Sequence, residues 1–471
     1  MNAPCRIAVN TIFQIASQAF SLGLSFVFTL YLTRFLGPTD FGKFTFALSF
    51  PAIFFTPLDF LDELTTRDLA RDPQRAGTYL NNILAIKSIL WPWLLLMVVA
   101  VMALLGYSTE PIRAVLVVSL WLLANVWNFL LKAVFRAFEQ LSLPATADIV
   151  EKGVVFVAGM AALLAGHGYL VVLWVYVAAA GVKWLTLMIL MRRRIWLNSW
   201  LDWRLWKYLL TEGYPIAIGS LFAVLLLQGG VVLLSMLRGD QEVGWYGAAF
   251  RLYNVMMIVA NSYNNSIYAI LTKYSQDNRP LAIDFANLSL KVLLAFSIPV
   301  TVGTVFLARP ISLFLFGEDY AQTSQALTIL FLALPFYFIR NTMTIILFAM
   351  DKQKLITACL AFAAVLNLVL GWVLVLPLGL LGTSMSLVVA EALLIGGLFV
   401  ATGRHFAQLD LKGSALKPLL GSLVMSVFLM MAFGKLPLGI TIALGGAIYG
   451  AVMLATRAFS QADLATLWRF S

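Results

Sequence analysis

Phe35-Leu36-Gly37-Pro38-Thr39-Asp40-Phe41-Gly42-Lys43-Phe44-Thr45-Phe46-Ala47 aligns without gaps on Leu237-Arg238-Gly239-Asp240-Gln241-Glu242-Val243-Gly244-Trp245-Tyr246-Gly247-Ala248-Ala249. Both copies read Gly-x-x-x-(Phe/Val)-Gly-x-(Phe/Tyr), and both lie between long apolar runs. Two glycines and an aromatic also recur by chance in a glycine-rich apolar chain, so the match gains weight only if its flanks repeat too. They do. Span 4 ends in Arg136-Ala137-Phe138-Glu139-Gln140 and span 10 in Ala349-Met350-Asp351-Lys352-Gln353-Lys354, each followed by a new apolar run. Two further spans follow in each half, joined at Gly166-His167-Gly168 and at Pro377-Leu378-Gly379.

The runs themselves place the chain in a bilayer. Hydrophobic residues make up 61%, charged residues 11%, and the mean hydropathy is +0.91, which excludes a soluble globular chain. A hydrocarbon core about 30 Å thick needs roughly 20 apolar residues per helix. Fourteen runs qualify: 9–33, 43–63, 79–106, 112–136, 146–166, 169–190, 209–236, 244–271, 285–308, 324–349, 355–376, 380–403, 416–434 and 438–457. At the two glycine-containing connections a single kinked helix is the rival reading. The runs are continuously apolar rather than alternating, so a strand barrel is a poor rival to helices, which satisfy their own backbones.

Basic residues set the orientation. With the N-terminus inside, twenty of the 32 Lys and Arg fall on the cytoplasmic side, six on the other, and six within spans. This asymmetry puts both termini in the cytoplasm, and most of the net charge of +10 is an orientation signal rather than a nucleic-acid surface. The first span reads as a retained anchor. Cys5 and Cys359 are the only cysteines, too few for a disulfide framework or zinc site. His167 and His405 sit in connections, and neither a metal site nor a cofactor is expected. No Gly-x-x-x-x-Gly-Lys-(Ser/Thr) sequence occurs, and no catalytic constellation stands out.

The expected architecture is therefore an all-α polytopic membrane protein of about fourteen transmembrane helices. Residues 1–195 form an N-lobe (spans 1–6), 196–208 a cytoplasmic interlobe linker, and 209–403 a C-lobe (spans 7–12). Residues 404–471 carry two extra spans. Spans 1 and 7 both start inside, so the halves are parallel repeats with a substrate path expected between them. The linker region, from Arg192-Arg193-Arg194 through Trp196, Trp200, Trp203 and Trp206, reads as an amphipathic interfacial segment.

These elements resemble the multidrug/oligosaccharidyl-lipid/polysaccharide exporter superfamily, and within it the polysaccharide-transport branch of O-antigen flippases. The two glycine elements carry the likeness. So do Thr66-Arg67-Asp68-Leu69-Ala70-Arg71 after span 2, Leu315-Phe316-Gly317-Glu318-Asp319-Tyr320 before span 10, and Leu381-Gly382-Thr383-Ser384 at span 12. The resemblance implies flipping of undecaprenyl-pyrophosphate-linked sugar units across the bacterial inner membrane. A polysaccharide polymerase and a chain-length regulator are the implied partners, beside the lipid-linked cargo and membrane lipid.

Ionisable and amide groups at bilayer depth are costly and mark candidate sites. On span 8, Asn254, Asn261, Asn265 and Tyr268 follow Arg251 at +3, +10, +14 and +17, within about a third of the helix circumference. A polar wall of a cavity is one reading, and interhelical hydrogen bonding is the other. Span 1 carries a milder stripe of Asn10, Gln14, Ser17 and Ser21, open to both readings. On span 10, Tyr337, Arg340, Asn341 and Thr344 share a face.

Six cations lie inside spans. Lys87, Lys183 and Lys291 sit near cytoplasmic ends, where snorkelling accounts for them, and an i,i+4 pair with Asp148 accounts for Lys152. Arg251 and Arg340 have no acidic partner on their own helices, and a guanidinium fork suits a pyrophosphate. Candidate substrate ligands are thus Arg251, Arg340, Asn254, Asn261, Asn265 and Asn341, with Trp245, Tyr246, Tyr253 and Tyr263 available to stack on sugars. Glu391 and Asp59 are candidate ion-coupling carboxylates, although Asp59, Asp62 and Glu63 also suit pairing with Arg67 or Arg71. A cation-coupled multidrug exporter is the alternative within transport. A membrane-embedded polysaccharide polymerase is the alternative enzyme, disfavoured because the largest external loop, about 309–323, is short.

Overall fold

A computed structural model describes residues 3–138, 142–191 and 201–459. The chain divides into two compact units, Met1–Val232 and Leu233–Ser471. The first holds helices α1 (Ala3–Phe55), α2 (Phe60–Arg71), α3 (Ala76–Leu104), α4 (Thr109–Ala137), α5 (Ser142–Leu164) and α6 (Tyr169–Met191), and most of α7 (Trp203–Arg238). The second holds the end of α7, then α8 (Asp240–Asp277), α9 (Arg279–Phe316), α10 (Thr323–Leu332), α11 (Leu334–Ala349), α12 (Gln353–Leu378) and α13 (Leu380–His405). It closes with α14 (Leu411–Ala432) and α15 (Leu438–Ala455). No strand occurs among the described residues.

All fourteen expected spans are present as helical segments. Span 1 and the start of span 2 run as one element, α1, broken only in its backbone at Gly37; a 3-10 turn, Thr56–Asp59, then leads into α2. Span 10 is split into α10 and α11. Pro335 has no N–H to give the carbonyl of Phe331 four residues back, and Thr301 of α9 donates its hydroxyl to that carbonyl at 3.0 Å instead. Both glycine connections end helices: α5 stops at Leu164, and Gly379 (φ 56) separates α12 from α13, so the kinked-helix reading does not hold. Among the described residues, eleven segments are long and apolar enough to cross a membrane. Together they cover twelve of the spans. The two that fall short, α5 and α8, carry charges and amides within their length.

The repeated glycine element recurs as geometry. Gly37 (φ 70, ψ 173) and Gly239 (φ 88, ψ 179) occupy the same backbone region, one that is essentially closed to side chains, and each ends one helix and starts the next. Aligned residues also tie the same helix starts within each unit. Lys43 Nζ donates to Glu110 Oε1 at the start of α4, at 2.9 Å, and Tyr169 at the start of α6 donates to the same oxygen, at 2.9 Å. Its counterpart Trp245 donates Nε1 to the Asp319 carbonyl at 2.8 Å and accepts from Thr323, the first residue of α10, at 3.0 Å. Glu242 accepts from the backbone N–H of Leu380, the first residue of α13, at 2.8 Å. The first unit makes the tie with a cation and a carboxylate, the second with an indole, a carboxylate and main chain.

The first unit packs α2, α3, α4, α6 and α7 around Leu61, Leu80, Ile83, Leu130, Val134, Leu187 and Leu209, all fully buried. In the second, α12 and α13 approach so closely at Gly382 that a methyl there would collide with the carbonyl of Leu374. Trp206 near the start of α7 donates to Asn82 Oδ1 at 2.7 Å, while residues 192–200, with Trp196 and Trp200, lie outside the described residues.

Three readings of in-span charge are corrected. Lys87 does not snorkel: its side chain is fully buried and pairs with Asp62 of α2 at 2.7 Å, while Arg67 pairs with Asp68 instead. Lys183 does not snorkel either, but bridges Asp148 at 2.9 Å and Glu151 at 2.8 Å on α5. Asp148 takes Lys132 of α4 as its second partner at 2.7 Å, and Lys152 comes nearest Glu151, at 3.9 Å. Hydrocarbon makes a buried counter-charge on a neighbouring helix worth more than a reach to the interface.

Candidate functional site: a polar ledge on α8 and α11

Burial along α8 follows the helical repeat. Tyr253, Met257, Ala260, Asn264, Ile267 and Leu271 point into the second unit, and Asn261, Ser262, Ser266 and Tyr268 are exposed. The stripe read from sequence therefore runs along an edge of α8 that its own unit leaves uncovered. Arg251 and Asn254 are half-buried on it and Asn261 is exposed. The side chain of Asn265 lies outside the described residues.

Helix α11 extends the stripe sideways. Asn261 Oδ1 accepts from Tyr337 Oη at 2.9 Å and from Asn341 Nδ2 at 2.6 Å, so one α8 amide is gripped by two α11 side chains. Arg340 lies between them in sequence, with its guanidinium over the Tyr337 ring, 4.6 Å from the centroid. Below this layer Thr342 and Asn264 are both buried and face each other. Three of the six predicted ligands, Arg340, Asn341 and Asn261, are thus brought together with Tyr337, while Arg251 and Asn254 lie further along the same stripe of α8.

Arg340 has a partner that its own helix does not supply. Its Nε donates to Glu391 Oε2 of α13 at 2.8 Å, with the carboxylate fully buried and the arginine side chain 12% exposed. The expectation of an unpartnered Arg340 is corrected, and the two residues read separately as ligand and coupling group form one ion pair. A pair at this depth is worth little net, but removing either member costs about 3–5 kcal/mol, because the other is left charged and dry. Asp59 stands apart in the first unit, in the 3-10 turn before α2.

The aromatic ring envisaged for sugar stacking is mostly structural. Tyr246 and Tyr253 are 1% and 0% exposed, stacked with Phe250 in a column inside the unit, and Trp245 is spent on Asp319. Tyr337 borders the ledge through its bond to Asn261, and Tyr268 is exposed further along α8. Among the described residues no group of three His, Cys, Asp or Glu side chains is placed to hold a metal.

A sequence profile described as polysaccharide biosynthesis protein matches residues 7–275, more than half of the chain. The chain belongs to the polysaccharide biosynthesis protein family. A second profile, MatE, matches residues 215–373, which span the ledge. No curated protein compared with it matches in sequence. Among solved structures, the fold is similar to that of lipid II flippase MurJ in an inward closed conformation, with a TM-score of 0.79 and 18% identity over 95% of this chain and 99% of that one. It also resembles the Vibrio cholerae MATE transporter VcmN in a mutant form, at 0.60 and 15% identity over 86% and 98%. An inward-facing multidrug resistance MATE family transporter of the MOP superfamily matches at 0.59 and 14%, over 90% and 96%. The protein is a multi-pass membrane protein of the multidrug/oligosaccharidyl-lipid/polysaccharide exporter superfamily.

Proposed function

We propose that the protein is a flippase that moves undecaprenyl-pyrophosphate-linked oligosaccharide units across the bacterial inner membrane by alternating access, with both termini in the cytoplasm. The observation that carries the reading is the ledge: amides and a hydroxyl, bordered by Arg251 and Arg340, on helix faces where a bilayer would penalise polar groups that have no cargo to serve. Guanidinium groups take the diphosphate, Asn254, Asn261 and Asn341 take sugar hydroxyls, and the polyprenyl chain stays in lipid. Asn265 belongs with these by its place on the stripe. The family to which the chain belongs, and the fold shared with a lipid II flippase, both support a lipid-linked cargo.

Residues 1–195 and 209–403 would act as the two repeats, joined by 196–208 and followed by the extra spans in 404–471. A polysaccharide polymerase and a chain-length regulator are the partners this role implies. The test is complementation of a deletion strain that accumulates the lipid-linked intermediate. Arg251→Ala, and Arg340→Gln made together with Glu391→Gln so that no buried charge is stranded, should each insert at normal levels and fail to restore export. Full complementation by both variants would refute the reading.

A cation-coupled multidrug exporter is the second reading, favoured by the MatE match over residues 215–373. Organic cations want carboxylates facing the cargo, whereas Glu391 is wholly buried and committed to Arg340. Drug accumulation in cells with and without the protein separates the two.

A further inference from the structure

Arg340 and Glu391 meet midway along α11 and α13 through a single bond. The other carboxylate oxygen, Oε1, is buried and receives no hydrogen bond. Glu391 is therefore dry and half-satisfied, and its cation stands at the border of the exposed ledge, against Tyr337.

The internal repeat shows that packing does not require this pair. Ala180 lies eleven residues after the first residue of α6, as Glu391 lies eleven after the first of α13. Asn128 lies nine residues before the end of α4, as Arg340 lies nine before the end of α11. In the first unit Asn128 Nδ2 donates to the carbonyl of Ala180 at 3.1 Å, a neutral contact at the equivalent crossing. The second unit alone has placed two opposite charges there, at the cost of burying a carboxylate oxygen without a partner.

We infer that Glu391 is a proton-exchange site that commits Arg340 either to the protein or to the anionic diphosphate of the cargo. The deprotonated carboxylate holds the guanidinium. When Glu391 takes a proton from water, one O–H bond forms, the ion pair is lost, and the diphosphate replaces the carboxylate as counter-anion. One proton is taken up for each diphosphate bound and returned on release. Tyr337 of α11 and Tyr253 of α8 face the pair beside Arg340. Helix α10 carries no ionisable residue, and α12 carries Lys354 and Cys359. The carboxylates of α8, Asp240, Glu242 and Asp277, lie at its two ends, and α10, α11 and α12 carry none. The inference rests on the flippase reading for the nature of the cargo.

The experiment uses the full chain in nanodiscs with undecaprenyl pyrophosphate as probe. Wild-type affinity should rise about tenfold per unit fall in pH beyond the slope of Glu391→Gln, as linkage to one proton requires. The probe's own titration is common to both proteins and cancels in the comparison. Arg340→Gln should bind weakly at every pH. The double variant with both substitutions, a neutral pair like Asn128 and Ala180, should elute as the wild type does, which keeps misfolding from explaining the losses. The wild-type-minus-Glu391→Gln infrared difference should show a carboxyl band that grows with acid, over the signal common to the other Asp and Glu of both proteins; a flat difference overturns the assignment. Equal slopes for wild type and Glu391→Gln refute the exchange and leave the cargo reading standing. Failure of every protein to bind the probe defeats the cargo reading, and this inference with it.

Discussion

Replacing Lys183 by methionine removes the central charge of the network between α4, α5 and α6. Its Nζ lies 2.9 Å from Asp148 and 2.8 Å from Glu151, and the Lys183 and Glu151 side chains are 7% and 4% exposed. Methionine keeps the length of the stem and its apolar packing, so the charge is the variable. Asp148 retains Lys132 at 2.7 Å, while the nearest remaining cation to Glu151 is Lys152, at 3.9 Å. One carboxylate is therefore stranded rather than two, which puts the cost at the low end of the range for a broken buried pair, about 3 kcal/mol. Adding Glu151→Gln removes the stranded charge and should leave about 1 kcal/mol for the lost hydrogen bonds. Glu151→Gln alone should cost about 1 kcal/mol, because Lys183 keeps Asp148, and the double-mutant cycle then gives a coupling of about 3 kcal/mol. Unfolding in mixed micelles titrated with dodecyl sulfate, followed by tryptophan fluorescence, measures all four proteins. A coupling within about 0.5 kcal/mol of zero would refute the network. Lys132→Met serves as the control: Lys132 and Asp148 are 15% and 26% exposed, Asp148 keeps Lys183, and the loss should be at most about 1 kcal/mol.

Gly37→Ala and Gly239→Ala should each cost about 1–3 kcal/mol, by similar amounts, because both sites have open space for a methyl and only the backbone conformation resists it. Unequal costs in the same micelle assay would separate the two turns. Gly382→Ala should cost about 1–3 kcal/mol by pushing α13 off the Leu374 carbonyl, and an unchanged midpoint would contradict that close approach. Glu110→Gln, at the exposed tie to Lys43, should cost less than about 1 kcal/mol and lose that small effect in high salt. A cost as large as that of Lys183→Met would mean the tie is better shielded than its exposure indicates.

The number of spans was legible because a bilayer reads length and apolarity, and both are explicit in the residues. The repeat was legible for a different reason. Gly37 and Gly239 sit in a backbone region that only glycine occupies at little cost, so the two turns had to be written with the same residue. What the residues did not reveal was the chemistry around those turns, since Lys43 and Trp245 reach equivalent helix starts by unrelated bonds. The α10–α11 break was marked by Pro335, yet the partner that makes it tolerable, the Thr301 hydroxyl, lies on another helix.

The same limit explains the site. Helical periodicity put Arg251, Asn254 and Asn261 on one stripe and Tyr337, Arg340 and Asn341 on one face, and those groupings depend on one helix at a time. The corrections at the three most buried cations concern partners on a different helix: Lys87 with Asp62, Lys183 with Asp148 and Glu151, Arg340 with Glu391. Sequence separation hides these pairs, which span 25, 35, 32 and 51 positions. One cue was available. Hydrocarbon tolerates a buried charge chiefly when it is paired, so a carboxylate and a cation at matching depth on neighbouring helices are expected to meet. Applied to the in-span cations, that rule selects Glu391 for Arg340, since it lies midway along its span. It leaves the first unit's equivalent crossing, Asn128 to the Ala180 carbonyl, as the neutral version of the same contact. The two halves share a backbone plan, and it is the charge written into one of them that distinguishes its chemistry.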